Sequence, residues 1–155
     1  MRKASPRLRA GRLRYHGAMA EITPGLRREE NLLVTNEVAI HFLEAEGGRV
    51  LSTPHLIGYL EMVARNLLKE RLEPGQDSVG SEVQFRHLAA TPVGMQVRLL
   101  AEVAAVDGRR VRFQLEAFDE QEKIAEGTHE RVIIDVARFA ARMQAKAGAM
   151  GTGRG

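Results

Sequence analysis

The chain has no cysteine and no tryptophan among its 155 residues, and aromatic side chains make up only 5% of it. Without cysteine it has no disulfide framework, no thiolate nucleophile and no sulfur-ligated metal, a composition typical of a reducing cytoplasm. No apolar run approaches the roughly 20 residues of a membrane-spanning helix, and the N-terminus lacks the apolar segment of a signal peptide. We therefore expect a cytoplasmic protein without a membrane anchor.

The net charge of +3 is unevenly distributed, because Lys and Arg contribute six positive charges before the first acid at Glu21. This basic arm has a single aromatic residue, Tyr15, and no helical or groove-filling pattern, so nucleic-acid binding has little support. A 44% hydrophobic composition over this length suffices for one core. We predict a disordered basic extension at 1–25, one domain at 26–147 and a flexible tail at 148–155.

Residues 53–72 predict one long helix. Thr53 is expected to be the N-cap with Pro54 at the first helical position, and Pro74-Gly75 end the segment. The apolar residues recur at the i, i+3, i+4, i+7 spacing of a buried helix face. They are Leu56, Ile57, Leu60, Val63, Ala64, Leu67 and Leu68. Glu61 projects from the edge of this face, so its carboxylate requires a structural or chemical reason.

The rest of the chain alternates between apolar and polar residues, as strands do. The predicted strands are 32–43, 78–87, 95–106, 109–118 and 123–135, followed by a terminal helix at 136–147. One strand, a long helix and four consecutive strands make an α+β order. This order predicts the hotdog fold, a curved antiparallel sheet of about five strands wrapped around one long central helix. A long strand such as 95–106, left partly unpaired at the sheet edge, favours a homodimer, or a higher oligomer built from it.

Three residues of this arrangement are candidates for catalysis. His87 continues the inward face of its strand, so the strand period directs its imidazole, with the Glu61 carboxylate, into one space suited to acid–base chemistry. Thr53 adds a hydroxyl at the helix N-terminus, where free amides stabilise an oxyanion. Each residue also has a structural interpretation: Glu61 as a surface pair with Arg65, His87 as a satisfied core residue, and Thr53 as a cap only.

Other candidates are weaker. The remaining histidines show neither HxH nor HExxH spacing, so no metal site is expected, and neither a GxSxG elbow nor a Walker loop is present. His129 and Arg131 share one face of the last strand. Arg131 is either a structural ion-pair partner or a cation near an anionic ligand or near Glu61.

Four segments resemble one known family: STPHLIGYLE, SVGSEVQFRHLAATPVGMQV, VDGRRVRFQLEAFDE and EGTHERVIID. They are similar to the hotdog-fold acyl-CoA thioesterases of the fluoroacetyl-CoA thioesterase family, over about residues 35–135. In that family a Thr at the start of the central helix, a Glu two turns along it and a His on the second strand form the catalytic set. These fall on Thr53, Glu61 and His87. The glycine near the substrate carbonyl falls on Gly80, and a supporting arginine on Arg131.

The resemblance implies hydrolysis of a small acyl-CoA thioester at a site shared across a homodimer interface, with coenzyme A as part of the substrate and no other cofactor. The family's phenylalanine-bearing lid before the central helix is replaced here by the loop EAEGG at 44–48, which leaves fluorine selectivity and the acyl group open. Two alternatives remain on sequence alone. One is a non-catalytic module that binds acyl-CoA, and the other is a hotdog enoyl-CoA hydratase, whose Asp and His are expected elsewhere.

Overall fold

The structure, a computed structural model, describes residues 21–150. Most of the predicted basic extension, at 1–20, and the end of the predicted tail, at 151–155, lie outside the described residues. The elements are β1 (Arg27–Leu33), a short 3₁₀ helix (Asn36–Val38), α1 (Thr53–Lys69), β2 (Gln76–His87), β3 (Gln96–Asp107), β4 (Arg110–Phe118), β5 (Lys123–Asp135) and α2 (Val136–Ala149). The five strands form one antiparallel sheet in the order β1-β3-β4-β5-β2. With α1 packed against four of them, this is the predicted hotdog fold.

Helix α1 supplies the central part of the core. Its residues Leu56, Leu60, Val63, Ala64, Leu67 and Leu68 are all buried. The sheet covers them with alternate residues of β3 and β4, among them Val97, Leu99, Phe113 and Leu115, each at most 2% exposed. The prediction of Thr53 as the N-cap is wrong by one residue, because the Ser52 side chain accepts a hydrogen bond from the His55 amide and caps the helix. This shift leaves the Thr53 hydroxyl available for another partner.

The predicted strand at 32–43 is wrong in position. β1 ends at Leu33 and pairs with β3, and the chain then makes the 3₁₀ turn and crosses the start of α1. Instead of pairing as a strand, this segment makes isolated backbone contacts with the residues just before α1, such as the Ile40 amide donating to the Val50 carbonyl. The packed chain also begins before the predicted domain start at 26, because Ile22 is buried.

The prediction of strand 95–106 at a sheet edge is wrong, because β3 pairs with β1 on one side and β4 on the other. Strand β2 instead lies at one edge of the sheet and has only β5 as a neighbour. A bulge between Gly80 and Glu82 interrupts the register of β2 with β5. The bulge separates the start of β2 from the part that ends at His87. Gly127 on β5 allows the two strands to approach closely, because a Cβ there would overlap the Gln84 carbonyl oxygen.

Helix α2 follows β5 directly in the chain and has no buried residue. Neither it nor any other helix within residues 21–150 combines the length and apolarity of a membrane span.

Candidate active site

The first part of the site joins the start of α1 to the end of β2. Thr53 Oγ1 lies 2.8 Å from Nδ1 of His87, a contact made possible because Ser52 and not Thr53 caps the helix. Burial lowers the pKa of His87 below the ordinary histidine value. Its Nε2 is buried without a hydrogen-bond partner among the described residues. His87 is therefore a neutral imidazole with one nitrogen free to exchange a proton.

The second part of the site surrounds Glu61, two turns further along α1. The Glu61 side chain is 38% exposed, and its Oε1 lies 4.0 Å from Nε2 of His129 on β5. Arg65, the partner in the surface-pair interpretation, instead binds both carboxylate oxygens of Asp77, at 3.0 and 2.5 Å. The carboxylate of Glu61 is thus available at the surface of the protomer.

The side chains of His129 and Arg131 are buried and lie beneath Glu61. Nδ1 of His129 lies 2.8 Å from the Glu82 carbonyl, which can only accept, so Nδ1 carries the proton and Nε2 accepts from Arg131 Nη1 at 3.2 Å. Ser78 fixes Arg131, whose guanidinium group donates to the Ser78 Oγ at 2.8 Å and to the Ser78 carbonyl at 2.7 Å. Burial is the main cause that lowers the pKa of His129, and the positive charge of Arg131 lowers it further. No carboxylate of residues 21–150 lies within ion-pair distance of Arg131. Of its two interpretations, the structure therefore favours a cation near Glu61 over a structural ion-pair partner.

Gly80 leaves a space where these groups meet. A Cβ at this position would lie 3.0 Å from Glu61 Oε1 and 3.2 Å from His129 Cε1. The φ of Gly80 is not positive, so its backbone conformation does not require glycine. The absence of a side chain instead keeps the room beside the Glu61 carboxylate open.

The two parts of the site are separate within one protomer. Thr53 and Glu61 are eight residues apart on α1, which corresponds to about 12 Å along the helix axis. Gly80, beside Glu61, lies near the middle of β2, whereas His87, beside Thr53, is the last residue of the strand, seven residues further on. The structure therefore brings Thr53 to His87, and Glu61 to Gly80 and Arg131, but does not bring Glu61 and His87 together in one chain.

A cavity of about 390 Å³ opens beside Thr53 and His87. Its other lining residues are almost all apolar: Ile40, Phe42, Val50, Leu51, Leu88, Ala89 and Ala90. The Phe42 side chain is 77% exposed at this cavity. Sequence reasoning placed Phe42 in a strand and saw no aromatic residue in the loop before the helix, so it missed this contact. Its position within a dozen residues of Thr53 was the available signal.

His129 is the second residue that sequence reasoning ranked too low. It was noted for sharing a face with Arg131, yet it is the histidine within 4.0 Å of Glu61. No set of three or more His, Cys, Asp or Glu side chains in residues 21–150 is grouped as a metal site requires. The expectation that no metal takes part stays a prediction.

Comparison with known proteins identifies relatives of this arrangement. The family model for fluoroacetyl-CoA-specific thioesterases matches residues 34–137. The chain is 36% identical, over 102 residues, to the fluoroacetyl-CoA thioesterase of Streptantibioticus cattleyicolor, and the match covers 66% of this chain and 73% of that protein.

Solved structures agree with this match. The fluoroacetyl-CoA thioesterase superposes with a TM-score of 0.74 at 30% identity, covering 81% of this chain and 97% of that one. A thioesterase superfamily member from Thermus thermophilus gives a TM-score of 0.76 at 29% identity, covering 84% and 96%. A hot-dog-like protein from Thermanaerovibrio acidaminovorans, 24% identical, supports the fold alone, with a TM-score of 0.73 over 79% of this chain and 91% of that one.

Proposed function

The chain belongs to the fluoroacetyl-CoA-specific thioesterase family and is an acyl-CoA thioesterase, and we propose that two protomers of a homodimer complete each of its active sites. The observation that carries this proposal is the separation of the two parts of the site. Glu61 lies beside Gly80 near the middle of β2 and His87 ends that strand seven residues later, so a second copy is needed to place them together.

The edge of β2 provides the register for such a dimer. Two copies of an edge strand can pair antiparallel about a two-fold axis. If the axis passes between Val83 and Gln84, then Gly80 of one protomer stands opposite His87 of the other. Val83 is 38% exposed at this edge, which leaves it free to be covered by the second copy. This pairing brings the Thr53–His87 pair to the Glu61 carboxylate.

The part of α1 between the two site residues Thr53 and Glu61 has its midpoint near the same proposed axis. Ile57 lies halfway between Thr53 and Glu61, and the neighbouring Gly58 lies on an apolar groove of about 420 Å³ together with Tyr59 and Met62. Tyr59 and Met62 are 38% and 46% exposed in the protomer. A glycine at the crossing point allows two antiparallel helices to approach closely. Strand and helix therefore favour the same two-fold axis.

In the composite site each residue has a distinct role. Glu61 either attacks the thioester carbonyl, forming an anhydride that water then hydrolyses, or positions the water that attacks the carbonyl directly. In both routes the neutral His87 accepts a proton from the attacking water and passes it to the CoA thiolate. Thr53 orients His87 and the carbonyl oxygen near the N-terminus of α1. Gly80 leaves room for the thioester carbonyl, and the positive charge of Arg131 stabilises the Glu61 carboxylate. The reaction needs water and the thioester, so we propose that no cofactor takes part.

The cavity beside His87 is the proposed acyl site. Its apolar lining suits a small acyl group, with Phe42 at its open side. The absence of cysteine in the chain supports the further proposal that the enzyme works in the cytoplasm.

A panel of acyl-CoA substrates of two to eight carbons, with fluoroacetyl-CoA among them, tests the function by release of free thiol. We expect turnover of the short acyl groups and a fall as the chain outgrows the cavity. In a parallel assay with an enoyl-CoA, loss of the enoyl absorbance without thiol release would mark a hydratase. Retention of acyl-CoA with neither change would mark a binding module, and both results contradict the proposed reaction.

A further inference from the structure

A cavity of about 450 Å³ lies where the β3–β4 hairpin meets the start of α2, outside the site described above. Its lining includes three arginines, Arg109, Arg138 and Arg142, together with Ile134, Asp135 and Ala141. Asp135 is the single carboxylate in this lining, and its Oδ1 already accepts the Arg138 amide at 2.9 Å as the N-cap of α2. The cavity wall therefore carries an excess of positive charge.

These three arginines differ from most others in the described chain. Six arginines pair with carboxylates: Arg28, Arg65, Arg71, Arg98, Arg110 and Arg112. Arg109 and Arg138 form no ion pair with any carboxylate of residues 21–150, and Arg142 only lies over the Phe139 ring at 5.7 Å. Several guanidinium groups without carboxylate partners thus face one cavity.

The arrangement also costs stability in the absence of an anion. Arg138 and Arg142 are four residues apart on α2, a spacing at which like charges repel. Arg138 lies in the first turn, where the helix dipole disfavours a cation. Residues 136–149 contain no acid that offsets these charges. A bound anion relieves both costs, and planar guanidinium groups are suited to phosphate oxygens.

We propose that this cavity binds the phosphate groups of a nucleotide. One source, which rests on the proposed function, is the nucleotide end of the coenzyme A substrate; the other is a free nucleotide. Arg131 in the active site and Asp135 at the cavity are four residues apart on β5, about 13 Å. The pantetheine arm has about thirteen bonds between sulfur and phosphorus, and an extended chain of that length spans about 15 Å. Coenzyme A is therefore long enough to reach from one site to the other.

The test compares the Arg138→Gln/Arg142→Gln double variant with a charge-matched control, Arg27→Gln/Lys146→Gln, whose residues lie outside the cavity. Calorimetry measures binding of coenzyme A, its 3′-dephospho form, ADP and pyrophosphate to the intact protein. We expect the cavity variant to weaken binding of at least one of these ligands about tenfold or more, and the control to change it much less. Equal binding by wild type, cavity variant and control, or no binding by any, overturns the proposal.

Kinetics separate the two sources. If the substrate supplies the phosphates, the cavity variant raises KM for acetyl-CoA about tenfold, leaves kcat unchanged and hydrolyses the N-acetylcysteamine thioester, which lacks the nucleotide, like wild type. If a free nucleotide is the ligand, ADP binds without competing with coenzyme A and KM does not change. Because binding is measured without turnover, a failure of thioester hydrolysis is distinguishable from a failure of this site.

Discussion

The buried His129 and the partly buried His87 have different hydrogen-bond environments and therefore different capacities for proton transfer. Both nitrogens of His129 are engaged, by the Glu82 carbonyl and by Arg131, so protonating it would break a hydrogen bond. His87 hydrogen-bonds Thr53 and also lies near the Ala89 backbone and the Phe85 ring, and its Nε2 makes no direct hydrogen bond in the described chain. Of the two, His87 is suited to relay a proton, whereas His129 positions Glu61 and Arg131.

The pH dependence of turnover tests the role of His87. Because burial lowers its pKa, the neutral form dominates at pH 7. We expect kcat/KM for acetyl-CoA to be flat near pH 7 and to fall only as the pH drops through a value below 6.5. His87→Ala should lower kcat about 10²-fold or more.

The control for this profile is His41→Gln, since His41 is exposed and its side chain hydrogen-bonds Arg49, at 2.7 Å, and no other side chain of residues 21–150. It should keep the wild-type profile. An unchanged kcat in His87→Ala would remove this residue from the mechanism.

Gly80→Ala tests whether the space beside Glu61 matters for the reaction. The added methyl group, 3.0 Å from Oε1 and 3.2 Å from His129, must displace one of them or the substrate carbonyl. The neighbours need to move by only a few tenths of an ångström, less than the displacement of about 1 Å that can cost 10²-fold, so we expect kcat to fall by a smaller factor, about tenfold. The melting temperature should change little, because φ at this position is not positive.

Gly148→Ala is the matched control, because a Cβ there meets no atom within 4 Å. It should leave turnover unchanged. A Gly80→Ala enzyme with wild-type kcat would show that the space is not used.

At the scale of the element, the start of α1 divides capping and catalysis between two adjacent hydroxyls. Ser52 caps the helix, and Thr53 contacts His87. Removing an N-cap hydroxyl costs about 1 kcal/mol. We therefore expect Ser52→Ala to lower the free energy of unfolding by about that amount in urea titrations, with a smaller effect on kcat.

Thr53→Ala is its counterpart, and it should lower kcat with a smaller effect on stability. Each variant is the control of the other. If Thr53→Ala were the more destabilising and Ser52→Ala the more damaging to turnover, the assignment of the two hydroxyls would be reversed.

Sequence patterns predicted the elements whose periodicity comes from the core, and missed those shaped by tertiary contacts. The strand at 123–135 has the predicted bounds because its alternation lines the core. β1 reads RREENLL, and only Leu32 in it is buried, so its pairing with β3 is not encoded in its own hydrophobic pattern. For the same reason the sequence indicated Glu61 and His87 as chemically useful, while the distance between them depends on packing that no single segment specifies.

For the whole molecule, the unpaired edge of β2 and the apolar groove on α1 are features that a second copy would cover. Val83 on the strand and Tyr59 and Met62 on the helix are each at least 38% exposed. The Thr53–His87 pair and the Glu61 carboxylate lie at two separate places along this surface. Dimerisation would thus bury the apolar residues and complete the catalytic site in one step.

Complementation between inactive variants tests this arrangement directly. Glu61→Gln and His87→Ala should each be nearly inactive alone. In a heterodimer of the two, one composite site receives Glu61 from the His87→Ala chain and His87 from the Glu61→Gln chain, whereas the other site lacks both groups. Random exchange makes about half of the dimers mixed, each with one of its two sites intact, so activity should recover to about one quarter of the wild-type value.

The matched control mixes Glu61→Gln with Gly80→Ala, since Gly80 lies 3.0 Å from Glu61 in the same chain. Both changes affect the same half of the site, so every composite site in this mixture carries one defect and no recovery beyond the residual activity of each variant is expected. A site confined to one protomer predicts no recovery in either mixture, because every chain then carries its own defect. Recovery in the first mixture alone therefore requires that Glu61 and His87 act together from different chains.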